Sequence, residues 1–502
     1  MAESDKKTKL YRFLEMMPGM VAWSVIFFPV WGSFLVPRLV AYFIIAFLVF
    51  WFYQSFKNAF LGIIAFFKIK RTEKIVWHDL YEEEKKAGVK MLSWEKIKHI
   101  VIIPNVKESA EKISSNLDCL ANQKEINKEQ MVVVLAMEAR VEGSAEKAQV
   151  LIKKYQNKFG KIFVTIHPHK LPGEIIGKAS NEAWAAKQAK KILVDQLGWN
   201  INHLTVTSCD ADACFNSAYF AALTYHFARD KKRYLRFWQS PIFWYNNLKR
   251  VPNLITIVGV IGHIIHIASL MEPEQLLFNY SAYSLSFKLL DSIGYWDVDI
   301  IPEDWHIFLQ AFFAKKGKVL VKPIFVPTYI DAPEGKTYFE ALKNRYLQCQ
   351  RHAWGVTDIP YAFFEARRHP EVPLLLKVLR LYKLLESHLL WSTNWFILTL
   401  GALLPPLLNP KFFQTSFGYN LPKFSQFILT LCLISLAILI ILDWYLRPKR
   451  EKQLNFFQKV RYFLHWFLMP VSTLFLAVLP GLHAQTKLLF GKRLEYRVTK
   501  KY

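Results

Sequence analysis

Apolar positions follow two regimes along this chain. Toward both ends they run unbroken: Met16 to Pro37, Leu39 to Phe56, Ser387 to Pro410 and Phe424 to Leu442 contain no Asp, Glu, Lys or Arg. Each approaches or exceeds the roughly 20 residues that a helix needs to cross a bilayer. These four stretches predict membrane spans. In the middle, from about His99 to Gly355, short apolar runs alternate with longer polar, helix-favouring segments, the pattern of an α/β domain with a largely parallel sheet. Predicted strands are His99–Ile103, Met131–Leu135, Ile162–Ile166, Leu204–Thr207 and Tyr234–Trp238.

Two more uncharged stretches fit the span pattern less well. Tyr462 to Thr486 is interrupted by Pro470 and Pro480, and a single crossing would put the basic tail Lys487, Lys492, Arg493, Arg497, Lys500 and Lys501 opposite the other basic loops. That runs against the positive-inside tendency, so 462–486 is expected to be a broken or re-entrant segment. Val251 to Met271 contains Pro252, Asn253, His263 and His266 inside the polar middle region, and is expected to be a buried or interfacial helix. Leu374 to Leu385 carries Lys377, Arg380 and Lys383 at three-residue spacing on a leucine-rich segment, which predicts an amphipathic helix lying in the bilayer interface.

Composition supports this layout: 53% hydrophobic and 16% aromatic residues are high for a soluble enzyme of 502 residues. The net charge of +25 suits either nucleic acid or an anionic lipid surface. Basic residues crowd the loop Arg447, Lys449, Arg450, Lys452, Lys459 and Arg461, whereas Lys411 to Lys423 has only its two ends. With no nucleic-acid-binding motif beside it, this distribution favours the bilayer and argues against nucleic acid. Five cysteines at irregular spacing suggest neither a disulfide framework nor a zinc site, so the middle domain is expected in reducing cytosol. The charged N-terminus leads into closely spaced spans with no small-residue cleavage site, an anchor rather than a removed signal peptide.

The candidate chemistry centres on Asp210-Ala211-Asp212, placed directly after the strand Leu204–Thr207. In open α/β sheets ligands gather beyond the carboxyl ends of the strands. Mg²⁺ or Mn²⁺ takes hard oxygen ligands, and Mg²⁺ is held by one or two carboxylates plus phosphate oxygens, so two aspartates suffice for a metal-diphosphate site. A surface turn would carry the same triplet, so context decides. That context is Pro104-Asn105-Val106-Lys107-Glu108, Gly177-Lys178-Ala179-Ser180-Asn181, Gln239-Ser240-Pro241, Pro302-Glu303-Asp304, Ala332-Pro333-Glu334 and Gln348-Cys349-Gln350-Arg351-His352, in that order around the pair.

Over roughly residues 95 to 360 these motifs resemble, in order, those of the family 2 glycosyltransferases, in the membrane-embedded branch similar to cellulose and hyaluronan synthases. The resemblance implies a GT-A (Rossmann-like) glycosyltransferase domain, α/β in class, flanked by transmembrane α-helices. It implies a nucleotide-sugar donor, a UDP-sugar, bound with Mg²⁺ or Mn²⁺ at Asp212 and Asp210. Glu108, Glu138 and Lys178 join these as donor-binding residues, and Arg351 adds positive charge as the diphosphate leaves. Asp304 is implied as general base, inverting the anomeric carbon, with Glu303 beside it; His306 is a competing base that equally suits a buried, hydrogen-bonded histidine. With a reference pKa of about 3.9, Asp304 is expected to be ionised at neutral pH without tuning. Gln239, Gln348, His352 and Trp354 are implied for the acceptor, though Trp354 equally suits core packing. Two positions depart from the family: Glu138 stands where Asp commonly holds the nucleobase, and His352 where Trp is expected.

The expected layout is a cytoplasmic N-terminus (1–15), two spans (16–57), a cytoplasmic catalytic domain (95–360), an interfacial helix (371–386), two spans (387–446), a broken membrane segment (462–486) and a basic tail (487–502). The expected activity is extension of a polysaccharide at the plasma (inner) membrane. Transfer of one sugar to a lipid or short acceptor is an alternative, as is a scaffold or transporter with a retired enzyme domain.

Overall fold

The computed structural model describes residues 8–448 and 455–494. The basic loop residues Lys449, Arg450 and Lys452, the tail residues Arg497, Lys500 and Lys501, and the first seven residues of the expected cytoplasmic N-terminus lie outside the described residues.

Among the described residues, ten strands follow in chain order: β1 (Lys98–Pro104), β2 (Met131–Glu138), β3 (Lys161–His167), β4 (Leu204–Ser208), β5 (Cys214–Phe215), β6 (Arg236–Gln239), β7 (Ile242–Phe243), β8 (Tyr283–Ser286), β9 (Leu320–Pro323) and β10 (Thr328–Tyr329). Seven form one sheet in the order β3-β2-β1-β4-β8-β6-β9. β1 to β4 run parallel and β6 pairs parallel with β9, while β8 is antiparallel to both β4 and β6. β2 is buried at all eight positions and β4 at all five, as expected of strands covered on both faces. One core packs the helix Lys178–Ala189, the helix Glu303–Ala314 and Trp354 on one side of the sheet; a second packs Ala110–Ala121 and Tyr219–Arg229 on the other. The expected α/β class with a largely parallel sheet holds. β1 is flanked by β2, later in the chain, and by β4, later still, so the order reverses at β1/β4, where such sheets open a crevice.

β5, β10 and β7 make a separate three-stranded sheet. β5 begins two residues past Asp212, so this small sheet fixes the far end of the aspartate loop while β4 fixes the near end. A disulfide joins Cys119, on the helix Ala110–Ala121, to Cys214 on β5. The irregular spacing of the cysteines did not suggest this bond: a separation of 95 residues gives no local signal, and only the packing of helix against loop brings them together.

Among the described residues, four helices are long and apolar enough to cross a membrane: Lys9–Leu35, Pro37–Thr72, Ser416–Leu446 and Phe456–Leu489. The last contains 3₁₀ geometry at His465–Leu468 and π geometry at Leu474–Val478, next to Pro470 and Pro480. The helix Leu374–Phe396, which carries the start of the expected third span, is not among the four. Asn253–Ser269 is a shorter apolar helix.

The segment expected in the bilayer interface lies otherwise than its charge spacing suggested. Lys377 is 9% exposed and Arg380 1%, and the Arg380 guanidinium sits 4.5 to 5.4 Å from the ring centres of Phe278, Phe308 and Phe312. It donates to the carbonyl of Leu277 at 2.6 Å. Leu374, Leu375, Val378 and Tyr382 face outward instead. The helix thus keeps Lys377 and Arg380 inward and leaves an apolar face exposed.

Candidate functional site

The aspartate loop leaves β4 at its carboxyl end and points its two carboxylates at different partners. Asp210 Oδ1 lies 2.9 Å from the Lys178 ammonium, and its Oδ2 accepts the Ser281 hydroxyl at 2.6 Å. Asp212, 5% exposed, accepts the backbone N–H of Asp331 at 2.8 Å through Oδ2, and Lys112 pairs with Asp331. The two aspartates thus form no ready-made pincer, and among the described residues no three His, Cys, Asp or Glu side chains gather in a metal-holding group. Hard carboxylate oxygens at the end of a strand still fit an Mg²⁺ or Mn²⁺ site completed by phosphate oxygens.

Lys178 opens the helix Lys178–Ala189. Alanines 179, 183, 185, 186 and 189 give that helix a thin buried face, and Asn181 donates to the carbonyl of Ala136 at the end of β2, which pins its N-terminus near the β1/β4 crevice. The Lys178 ammonium also lies 2.8 Å from Glu303 and 4.0 Å from Glu182. Burial alone would push it down, but Asp210, Glu303, Glu182 and Asp304 hold it well above its usual value.

Glu303 and Asp304 occupy the first turn of the helix Glu303–Ala314, a favourable place for negative charge. Asp304 Oδ2 accepts the N–H of Ser281 at 2.9 Å, whereas its Oδ1 is buried without a hydrogen-bond partner. Burial, followed by the charges of Glu303 and Asp210, pushes the Asp304 carboxyl up to about 8, against the pull of Lys178 and the Ser281 N–H. The expectation that it is ionised at neutral pH without tuning is therefore corrected: four carboxylates share one lysine, and the cluster retains a proton. Glu182, fully buried and accepting the Ser208 hydroxyl at 2.6 Å, is likewise pushed up to about 8, by burial first.

His306 is excluded as the base. Its ring nitrogens lie 2.7 Å from Asp358 and 2.9 Å from Asp297, and although burial alone would lower it, these two carboxylates hold the imidazole protonated, up to about 9. Both nitrogens are occupied and the ring carries its proton at neutral pH.

The remaining expected residues are spread around this centre. Glu108 takes three donors from its own turn on one oxygen: the Asn105 amide and the N–H groups of Val106 and Lys107. Glu138 ends β2 and pairs with Arg140. Gln239 is fully buried, its amide donating to the carbonyls of Ser240, Tyr280 and Ala282 and its oxygen accepting the Tyr280 N–H. In this structure its side chain clamps the segment around Ser281. Trp354, 4% exposed, packs in the core. Gln348 and Arg351 lie on the helix Tyr338–Ala353; Gln348 is buried and accepts from Arg345 at 3.1 Å, Arg351 is half-buried and His352 exposed.

Sequence reasoning missed Ser281, Glu182 and Asp331. Glu182 stands one helical turn after Lys178 on the same face, a spacing visible beforehand. Ser281 has no motif around it, and only the pairing of β8 with β4 brings it to Asp210.

Residues 205–442 match the model of a family described as glycosyl transferase family group 2. No curated protein matches the chain in sequence. Among solved structures, the chain is similar to the mannosyltransferase PcManGT from Pyrobaculum calidifontis in complex with GDP-Man and Mn²⁺, at 14% identity and a TM-score of 0.46, over 90% of this chain and 100% of that one. It is also similar to S. aureus TarS, at 14% identity and a TM-score of 0.29, over 62% of this chain and 52% of that one. For GalNAc-T7 with UDP, GalNAc and Mn²⁺ the identity is 12% and the TM-score 0.31, over 60% and 56%. The stretch that matches glycosyl transferase family group 2 begins within β4, just before Asp210, contains Asp212, Glu303, Asp304 and Arg351, and ends in the helix Ser416–Leu446.

Proposed function

We propose that this protein is a membrane-bound inverting glycosyltransferase that moves a sugar from a nucleotide-sugar donor, a UDP-sugar, onto a growing polysaccharide. The observation that carries this reading is the meeting of Lys178, Asp210, Glu303 and Asp304 at the end of β4, the last three inside the stretch that matches the family.

Each residue has a distinct task. Asp210 and Asp212 would hold Mg²⁺ or Mn²⁺, which when bound neutralises diphosphate charge. Lys178 and Arg351 offer positive charge to the departing nucleotide diphosphate, while Glu108 and Glu138 border the nucleoside. Asp304 takes the proton from the acceptor hydroxyl as that oxygen attacks the face opposite the leaving group. A carboxyl raised to about 8 is a stronger base than an ordinary one, and general bases work best with a pKa near the working pH. Glu303 restrains Lys178 beside it, and Gln348 borders the acceptor. The 95–360 region is the catalytic domain, placed on the cytoplasmic face of the plasma (inner) membrane. Exposed His352, in place of a stacking Trp, favours as a second reading the transfer of a single sugar to a lipid or short acceptor.

Two substitutions in the full-length protein test the assignment. Asp304→Asn should lower transfer about 10²- to 10⁴-fold while Mn²⁺-dependent nucleotide binding persists; unchanged turnover would remove Asp304 from the role. Asp212→Ala should instead weaken that binding, and an unaltered metal requirement would contradict it.

A further inference from the structure

Ser281 touches both halves of the charged cluster from a single turn. Its hydroxyl donates to Asp210 Oδ2 at 2.6 Å, its N–H donates to Asp304 Oδ2 at 2.9 Å, and its carbonyl accepts from the Lys178 ammonium at 3.5 Å. Its backbone sits at φ +47°, in the left-handed region that residues with a side chain rarely occupy. Such outliers persist where the surroundings over-determine them. Here the surroundings are explicit: the Gln239 amide grips Tyr280 and Ala282 on either side, and the amide of Asn279 donates to the carbonyl of Asp304 at 2.7 Å. The turn 279–282 is therefore fastened to β6 and to the helix Glu303–Ala314 independently of Ser281's own side chain.

We infer that Ser281 is a positioning residue that fixes the donor-side carboxylate of Asp210 relative to the acceptor-side carboxylate of Asp304. The left-handed turn is what allows one residue to serve both: it aims the N–H at the N-terminal turn of the helix Glu303–Ala314 while the hydroxyl reaches back to the loop after β4. Without the hydroxyl, Asp210 keeps Lys178 at Oδ1 and loses the Ser281 hydrogen bond at Oδ2. The N–H bond to Asp304 survives because it belongs to the backbone. The two effects of Ser281 can therefore be separated by substitution. This inference rests on the proposed glycosyl transfer, since it presumes that Asp210 faces the donor.

The test uses full-length protein and the variants Ser281→Ala and Ser281→Gly. Both lack the hydroxyl; alanine keeps the disfavoured backbone conformation and glycine adopts it freely. Titration with UDP and with GDP in the presence of Mn²⁺ should show affinity lowered about tenfold in both variants, the size of one lost hydrogen bond to a charged group. With the sugar donor that wild type turns over, KM for the donor should rise more than kcat falls, and the pH at which kcat/KM rises should stay at its wild-type position, because Asp304 keeps its N–H donor. Unchanged nucleotide affinity, or a loss confined to kcat, would overturn the inference. So would alanine and glycine variants whose affinities differ as their melting temperatures do, the signature of a merely structural residue. Wild type that binds neither nucleotide would instead remove the proposed glycosyl transfer, before any variant is compared.

Discussion

The chemistry of this site depends on how a handful of carboxylates divide one proton. Asp304 and Glu182 are both pushed up to about 8, so the folded protein binds protons that the unfolded chain releases near pH 4. Where the folded state holds more protons than the unfolded one, stability falls as pH rises. The window here runs from about pH 4, where an unfolded aspartate ionises, to about 8. Asp304→Asn removes one of these groups while keeping its size, so its melting temperature should exceed that of wild type by more at pH 8 than at pH 5. Equal differences at the two pH values would mean that Asp304 is ionised throughout. None of this was available from the sequence. The order of motifs marks Lys178, Asp210, Asp212 and Asp304 as one constellation, but the pKa of Asp304 depends on burial and on Glu182 and Glu303 arriving beside it. Ser281 was invisible for a related reason: its role comes from a left-handed turn and a cross-strand register, neither of which leaves a periodic trace.

At the scale of elements, hydrophobic patterning predicted the buried parallel strands well and the helices that join the two regimes poorly. β1, β2, β3 and β4 match their apolar runs to within three residues at either end. β8, whose sequence is Tyr-Ser-Leu-Ser, shows too short an alternation to stand out, yet it is the antiparallel strand that carries the Ser281 turn to the site. The helix Leu374–Phe396 shows what charge spacing alone leaves out. Lysine and arginine at three-residue spacing suggest headgroup contact, but Arg380 enters an aromatic cage of Phe278, Phe308 and Phe312. Phe308 and Phe312 belong to the helix that begins with Glu303 and Asp304, so Arg380 ties that helix from behind. A desolvated cation–π contact together with a charged hydrogen bond amounts to about 2–4 kcal/mol. Arg380→Ala should lower the unfolding free energy of the detergent-solubilised protein by about that much, read from denaturant titration. A change within about 0.5 kcal/mol, as at ordinary surface positions, would mean that the cage does not hold the helix.

Over the whole molecule, the α/β domain and the long apolar helices are joined both by apolar packing, in which Phe243, Ile257 and Ile264 share a core with Ala59 and Leu442, and by polar contacts. Lys57, on the helix Pro37–Thr72, pairs with Glu272 at 2.7 Å, and Glu272 also lies 3.2 Å from Lys383. Asp443, fully buried near the end of the helix Ser416–Leu446, accepts from Tyr245 at 2.7 Å, Arg447 at 2.6 Å and Tyr462 at 3.0 Å. Tyr245 follows β7 of the small sheet that braces the aspartate loop, so the apolar helices and the loop share a framework. The disulfide between Cys119 and Cys214 fastens the same loop from the other side. The division into apolar ends and an α/β middle was plain from the sequence, because it depends on runs of many residues; the polar contacts that join the two depend on single side chains among apolar ones. The central claim is metal-dependent transfer from a nucleotide sugar, and the most direct measurement is nucleotide release by the purified full-length protein. It should be incubated with UDP-glucose, UDP-N-acetylglucosamine, UDP-galactose and GDP-mannose, each with Mn²⁺, with Mg²⁺ and with chelator, and the product mass read alongside. The account predicts release from at least one UDP-sugar, with a matching mass gain on an acceptor, that chelator abolishes. Release that persists in chelator, or none from any donor with either metal, would contradict it.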